Sequence, residues 1–192
     1  MSHARPLMLA EAIAERVAGA PPIEVDEPGL FWAAVALILA PDPDALLLIR
    51  RAQRSGDPWS GHMGLPGGRR NPDDPDLLET AIRETAEEVG VSLERAHLVG
   101  ALSDVAPRTP VLPPIAVRPF VFRLPARPAL LLNQEVAVAD WVPLAAFVPD
   151  ARQDVAVEVA GSTRTVSAFV TPHGIVWGMT ERILSDLIPH LR

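Results

Sequence analysis

The chain has 192 residues, with 17 Lys plus Arg against 24 Asp plus Glu, a formal net charge of −7 and no cysteine. It is long enough for one domain with a sizeable core. The acidic balance argues against a nucleic-acid binder, and without thiols there are no disulfides, thiolate metal sites or cysteine nucleophiles.

Residues 7–19 place Leu9, Ile13 and Val17 at i, i+4 spacing, which predicts an amphipathic helix. It suits a lid over the domain or a homodimer contact better than a membrane. Glu11, Glu15 and Arg16 interrupt the apolar run that a signal peptide needs. No stretch is apolar for long enough to span a bilayer, so a cytoplasmic location is expected. Residues 20–30 are rich in proline and acid and read as a linker. The expected organisation is therefore an N-terminal helix and linker over 1–30, followed by a main domain over 31–192.

Residues 31–39 and 45–50 predict two strands, apolar on both faces as in a sheet covered on both sides, with Pro41-Asp42-Pro43-Asp44 as the turn between them. A polar loop, 53–62, follows Arg50 and Arg51 and contains Arg54, Trp59 and His62. Three arginines beside a glycine loop could hold a diphosphate. Next come Gly64, Pro66, Gly67 and Gly68, then a predicted helix starting near Pro72–Asp76 and ending at Gly90. Leu77, Leu78, Ala81, Ile82, Ala86 and Val89 give that helix an apolar side.

Its polar side carries Glu84, Glu87 and Glu88 at i, i+3, i+4. These like charges repel one another, and they sit in the last turns, where the helix dipole disfavours them. A solvated acidic face would have the same spacing. The glycine loop ahead of it favours a cation site instead, because adjacent glycines let a main-chain carbonyl join hard carboxylate ligands around Mg²⁺ or Mn²⁺.

Beyond this helix, 97–105 predicts a strand, 106–114 a proline-rich loop able to wall a cleft, and 115–124 a strand whose Pro119 places it at an edge or a bulge. Glu135 precedes a strand over 136–142 and is a candidate for a further ligand or a base. Residues 143–149 predict a short helix, 155–170 a hairpin around Gly161-Ser162, and 178–191 a closing helix. His3, His97, His173 and His190 show no ligand spacing, so no zinc site is expected. This alternation of strands and helices fits an α/β/α sandwich with a mixed sheet.

Arg83-Glu84-Thr85-Ala86-Glu87-Glu88-Val89-Gly90-Val91 resembles the core of the Nudix box, G-x5-E-x7-R-E-U-x-E-E-x-G-U, with Thr85 where an aliphatic residue is usual. Counting back from Arg83 puts the box glycine on Arg69 and its first glutamate on Pro75, so the loop carries a one-residue insertion ahead of the core. Three further stretches resemble the coenzyme A pyrophosphatase branch of the Nudix hydrolases: Leu47-Leu48-Ile49-Arg50-Arg51-Ala52, Gly61-His62-Met63-Gly64-Leu65-Pro66-Gly67-Gly68, and Trp177-Gly178-Met179-Thr180.

The resemblance implies a Nudix-type fold and hydrolysis of a nucleoside diphosphate linked to another moiety, foremost coenzyme A. ADP-ribose, dinucleotides or nucleoside triphosphates are the alternatives, and a non-catalytic nucleotide-binding domain is a more distant one. It implies Mg²⁺ or Mn²⁺ on Glu84, Glu87, Glu88 and the Gly67 carbonyl. Glu84 or Glu88 would act on the attacking water, and Arg83 would hold a glutamate in place. Arg50, Arg51, Arg54, His62, Gly68 and Arg69 are the expected substrate contacts.

Overall fold

The computed structural model describes residues 9–19, 21–107, 112–159 and 162–187. The first two residues of the expected N-terminal helix, the middle of the proline-rich loop, the hairpin tip at 160–161 and the last turn of the closing helix lie outside the described residues.

The apolar runs at 31–39 and 45–50 become β1 (Phe31–Ala40) and β2 (Ala45–Arg51), antiparallel and closed by the expected turn, in which Asp42 takes a φ of 62°. Asp tolerates that left-handed conformation better than most residues. β1 also pairs in parallel with β6 (Ile115–Arg123) over nine register positions, Phe31↔Ile115 to Leu39↔Arg123. β5 (Leu98–Ala101) lies antiparallel on the far side of β6, and β7 (Val136–Pro143) lies antiparallel to β2. The glycine stretch adds two short strands that periodicity does not reveal, β3 (Met63–Gly64) on β2 and β4 (Gly67–Arg69) on β1. The result is one mixed sheet of seven strands.

The faces of β1 sort its neighbours. Ala34, Ala36, Ile38 and Ala40 pack with Leu78, Ala81 and Val89 of α2 (Leu77–Val89). Ala33, Leu37 and Leu39 face a second core built from Ile13 and Val17 of α1 (Leu9–Gly19) and from Ile183, Leu184 and Leu187 of α3 (Gly178–Leu187). A three-stranded antiparallel sheet lies on that side too: β8 (Arg152–Val159), β9 (Ser162–Thr171) and β10 (Gly174–Trp177). Both sides of the central sheet are thus covered, as the expected α/β/α sandwich requires. Each fully buried Leu contributes about 1.5–3 kcal/mol.

The ends of α2 match the sequence signals. Asp76 caps it by accepting from the Glu79 N–H at 2.9 Å, and Gly90, at φ 70°, closes it with its N–H on the Ala86 carbonyl. Thr85 is fully buried where an aliphatic residue is usual. Its hydroxyl donates to the Ala81 carbonyl at 2.7 Å, so no polar group is left unpaired.

Three expectations are corrected. β6 is an interior strand, which removes the edge alternative for Pro119, while its ladder with β5 does carry an irregularity, between Leu98 and Gly100. The Pro119 carbonyl accepts from Leu102 just where the ladder with β5 ends, so the missing N–H falls at a break in pairing. The strand expected over 97–105 is only β5, because Ser103 and Asp104 turn to bind the N-terminal segment. The Ser103 Oγ and the Asp104 carboxylate accept from the Ile23 and Val25 N–H groups, and the Asp104 N–H donates to the Ile23 carbonyl. The short helix expected over 143–149 is two 3₁₀ turns, Leu144–Phe147 and Pro149–Ala151. Among the described residues no helix is long and apolar enough to cross a membrane.

Candidate active site

β4 lies against β1 with Val35↔Gly67 and Ala34↔Gly68 in register, beside the second half of α2. Gly67 has a φ of 145°, and a Cβ there would stand 2.2 Å from the Ala34 carbonyl oxygen. A Cβ on Gly68 would meet the Glu84 carboxylate at 2.5 Å. Glycine at 67 lets this strand run against β1, and glycine at 68 lets it run close to the helix. The approach is used directly: the Gly67 N–H donates to Glu88 Oε2 at 2.9 Å.

Arg83 ties the helix to the loop before it. Its Nε and Nη2 donate to the two oxygens of Asp74 at 2.9 and 3.0 Å, and its Nη1 donates to Glu84 at 2.9 Å and Glu87 at 3.1 Å. Asp74 also accepts from the Thr80 hydroxyl and the Asn71 N–H. Sequence reasoning passed over Asp74, yet the signal was present. The box pattern sets its first acid six residues after its glycine, and Asp74 stands six after Gly68. The extra residue therefore falls between Asp74 and Arg83, not in the glycine loop, and Pro75 is not the acid's counterpart.

The Arg83 hydrogen bonds hold the Asp74 carboxyl well below the usual carboxylate range, against the effect of its burial. Because its folded pKa lies below the unfolded value near about 3.9, its stabilisation is complete above that pH and is lost as pH falls below it. Asp74→Asn should cost roughly 2 kcal/mol at neutral pH. It should also show a shallower loss of stability below about pH 4 than the wild type, followed by circular dichroism.

Glu88 is nearly fully buried, and burial pushes its pKa up to about 7, against the Gly67 N–H and the Arg51 guanidinium and with help from Glu84 and Glu135. Burial likewise raises Glu84, partly offset by Arg83 and reinforced by Glu87 and Glu135. Arg51 Nη1 stands 3.9 Å from Glu88 Oε1, and its other nitrogens hold Asp57. Arg54 pairs with Glu135 at 3.1 Å. Glu135 is thus a partly exposed partner of the loop arginine whose charge reaches both Glu84 and Glu88.

The expected substrate residues separate into groups. Gly68, Arg51 and, through Glu135, Arg54 gather at the glutamates. Arg50, one residue before Arg51 and across a register irregularity, faces a different cleft with His62, whose ring lies 4.9 Å from Trp177. Arg69 is exposed, its guanidinium 5.9 Å above the Phe31 ring. Trp59 packs partly buried against the core.

Residues 30–160 match the family described as NUDIX domain. The uncharacterized Nudix hydrolase NudL of Yersinia pestis (strain Pestoides F) is 30% identical over 155 residues, covering 80% of this chain and 75% of its own length. The chain belongs to the Nudix hydrolase family. A Schizosaccharomyces pombe protein, uncharacterized protein C14C4.10c, is 48% identical over 105 residues, which are 52% of this Nudix chain and only 32% of that protein. Among solved structures, the MutT protein of Methanosarcina mazei Go1 is 27% identical with a TM-score of 0.50, covering 64% of this chain and 83% of its own.

Nudix hydrolases generally use divalent metal ions. The donor chemistry of this Nudix chain fits such an ion. Glu84, Glu87 and Glu88 offer hard oxygens from adjacent turns, and burial of Glu84 and Glu88 leaves negative charge that a cation would offset. Among the described residues no three acidic or histidine side chains are drawn around one point, because Arg83 holds Glu84 and Glu87 and the Gly67 N–H holds Glu88.

Proposed function

We propose that this Nudix hydrolase cleaves the diphosphate of coenzyme A or its derivatives with Mg²⁺ or Mn²⁺. The observation that carries the chemistry is the buried Glu88 and the half-buried Glu84 pressed against the main chain of Gly67 and Gly68. The observation that favours coenzyme A is convergence. The three stretches that resemble the coenzyme A branch are far apart in sequence, yet they meet. His62 lies against Trp177, a Cβ on Gly64 would stand 3.7 Å from Thr180 Oγ1, and β3 pairs with the end of β2 at Ile49↔Gly64 and Arg50↔Met63.

Glu84, Glu87, Glu88 and the Gly67 carbonyl would hold the cation, which neutralises diphosphate charge and makes water a better nucleophile. Glu88 or Glu84 orients the attacking water and accepts its proton. Arg83 fixes Glu84 by a charge-assisted hydrogen bond. Arg51, beside Glu88, faces the negative charge of the diphosphate, with Arg54 and Gly68 around it, while Arg69 stands over Phe31. Water oxygen bonds to one phosphorus, the bond from that phosphorus to the bridging oxygen breaks, and the other phosphate leaves with that oxygen. From coenzyme A the products are 4′-phosphopantetheine and adenosine 3′,5′-bisphosphate. No covalent enzyme intermediate is needed.

The test is a panel of coenzyme A, acetyl-coenzyme A, ADP-ribose, NADH, diadenosine polyphosphates and nucleoside triphosphates with each metal. The highest kcat/KM is expected for the coenzyme A species. A higher value for ADP-ribose or a dinucleotide would assign another diphosphate to the same helix. Binding without turnover on every substrate would make the protein a nucleotide-binding domain.

A further inference from the structure

Resting on the coenzyme A reading, we propose that the cleft between β3 and β10 seats the amide-bearing arm of the substrate, the end remote from the nucleoside. The cleft has a volume of about 390 Å³ and is walled by Met63, Val157, Ile175 and Trp177, with Arg50 and His62 among its polar lining. His173 to Trp177 lie beyond residue 160, where the family match ends. This wall therefore belongs to the C-terminal sheet of this chain and not to the catalytic core shared across the family.

Three features select the occupant. First, the His62 and Trp177 rings are already 4.9 Å apart and tilted by 52°, so they form one wall and leave no slot for an aromatic base between them. Second, among the described residues β10 pairs with β9 alone. With Thr171↔Gly174 closing the turn, Ile175 and Trp177 direct their main-chain groups away from β9. A free strand edge of this kind recognises amides. An apolar wall with one amide-binding edge fits a flexible aliphatic chain carrying amides better than a sugar or a second nucleotide.

Third, the cleft is next to the chemistry. Arg50 lines it, the next residue, Arg51, stands 3.9 Å from Glu88, and the His62 carbonyl accepts from the Arg51 N–H. Because Arg50 and Arg51 point to opposite sides of β2, an arm leaving a diphosphate at the glutamates would reach the cleft by rounding the end of that strand at Arg51. The His173–Asp140 contact at 2.9 Å and the Arg50 bond to the His173 carbonyl hold the β9–β10 turn against β2 and β7, which keeps the wall in place.

Pantetheine, which has the arm but neither the diphosphate nor the nucleoside, is the probe. The full chain is titrated with it by calorimetry, without added metal, as wild type and as two variants. Ala156→Phe adds bulk at an exposed lip residue, and Ile175→Arg places a charge on the half-buried wall. Thermal melts check that both fold. Binding by the wild type, weakened at least tenfold in both variants, is expected. The ratio of kcat/KM for coenzyme A to that for ADP-ribose should fall at least tenfold, through KM. Absence of pantetheine binding by the wild type, or equal binding by folded variants, overturns the assignment. Pantetheine binding that the variants weaken in a protein that does not hydrolyse coenzyme A sustains the cleft and overturns the substrate reading alone.

Discussion

Replacing Glu88 with glutamine is expected to lower diphosphate hydrolysis by on the order of 10³-fold and to leave the protein at least as stable. Glutamine keeps the shape and can still accept the Gly67 N–H, while the charge that cation binding and proton transfer need is gone. Stability moves the other way because burial makes the charge costly in the absence of a cation. With the folded pKa raised to about 7, the folded state holds its proton over a range where the unfolded chain has released it. The wild type in chelator should therefore lose stability as pH rises from about 4.3 to about 7, and Glu88→Gln should lack that slope. Thermal melts across that range, alongside turnover with saturating metal, read both effects. Full activity in the variant would remove Glu88 from the mechanism, and a large drop in melting temperature would make it a structural keystone instead. Glu87→Gln is the internal comparison. Glu87 is half-exposed and shares Arg83 with Glu84, so its loss should reduce turnover less.

The two adjacent glycines should fail differently. Gly67→Ala is expected to cost about 3 kcal/mol or more, from a disallowed φ of 145° and a Cβ 2.2 Å from backbone that cannot move. Gly68→Ala has no such backbone conflict. Its Cβ would meet the end of the Glu84 side chain at 2.5 Å, and that end can swing away if its hydrogen bond to Arg83 breaks. The fold should survive with a melting temperature within a few degrees of wild type, while turnover falls about 10²-fold because Glu84 is displaced. Urea unfolding and initial rates on the two variants separate these outcomes. Loss of activity with intact stability in Gly67→Ala, or global unfolding of Gly68→Ala, would contradict the packing described above.

Much of this protein follows from local chemistry. The apolar runs of β1, β2 and β6 leave no alternative to a sheet buried on both faces. The spacing of Leu78, Ala81 and Val89, with an Asp cap and a Gly stop, determines α2 and the side on which Glu84 and Glu88 emerge. These are properties of neighbouring residues, so they can be read along the chain. Other features arise only when distant segments meet. The spacing from Gly68 marks Asp74, but only the fold shows that both its oxygens hold the Arg83 guanidinium. β3 and β4 are too short to carry a period, and they exist because β1 and β2 offer them edges. Pro119 signals an edge by its own chemistry, yet its strand is interior, because a gap in pairing on the β5 side accommodates the missing donor. Arg50 and Arg51 are adjacent in sequence but serve different surfaces, since successive strand residues point to opposite sides. The cleft at Trp177 depends most fully on tertiary structure. Its walls come from positions more than 100 residues apart, Met63 and Ile175, and no local pattern encodes the distance between strands of two different sheets.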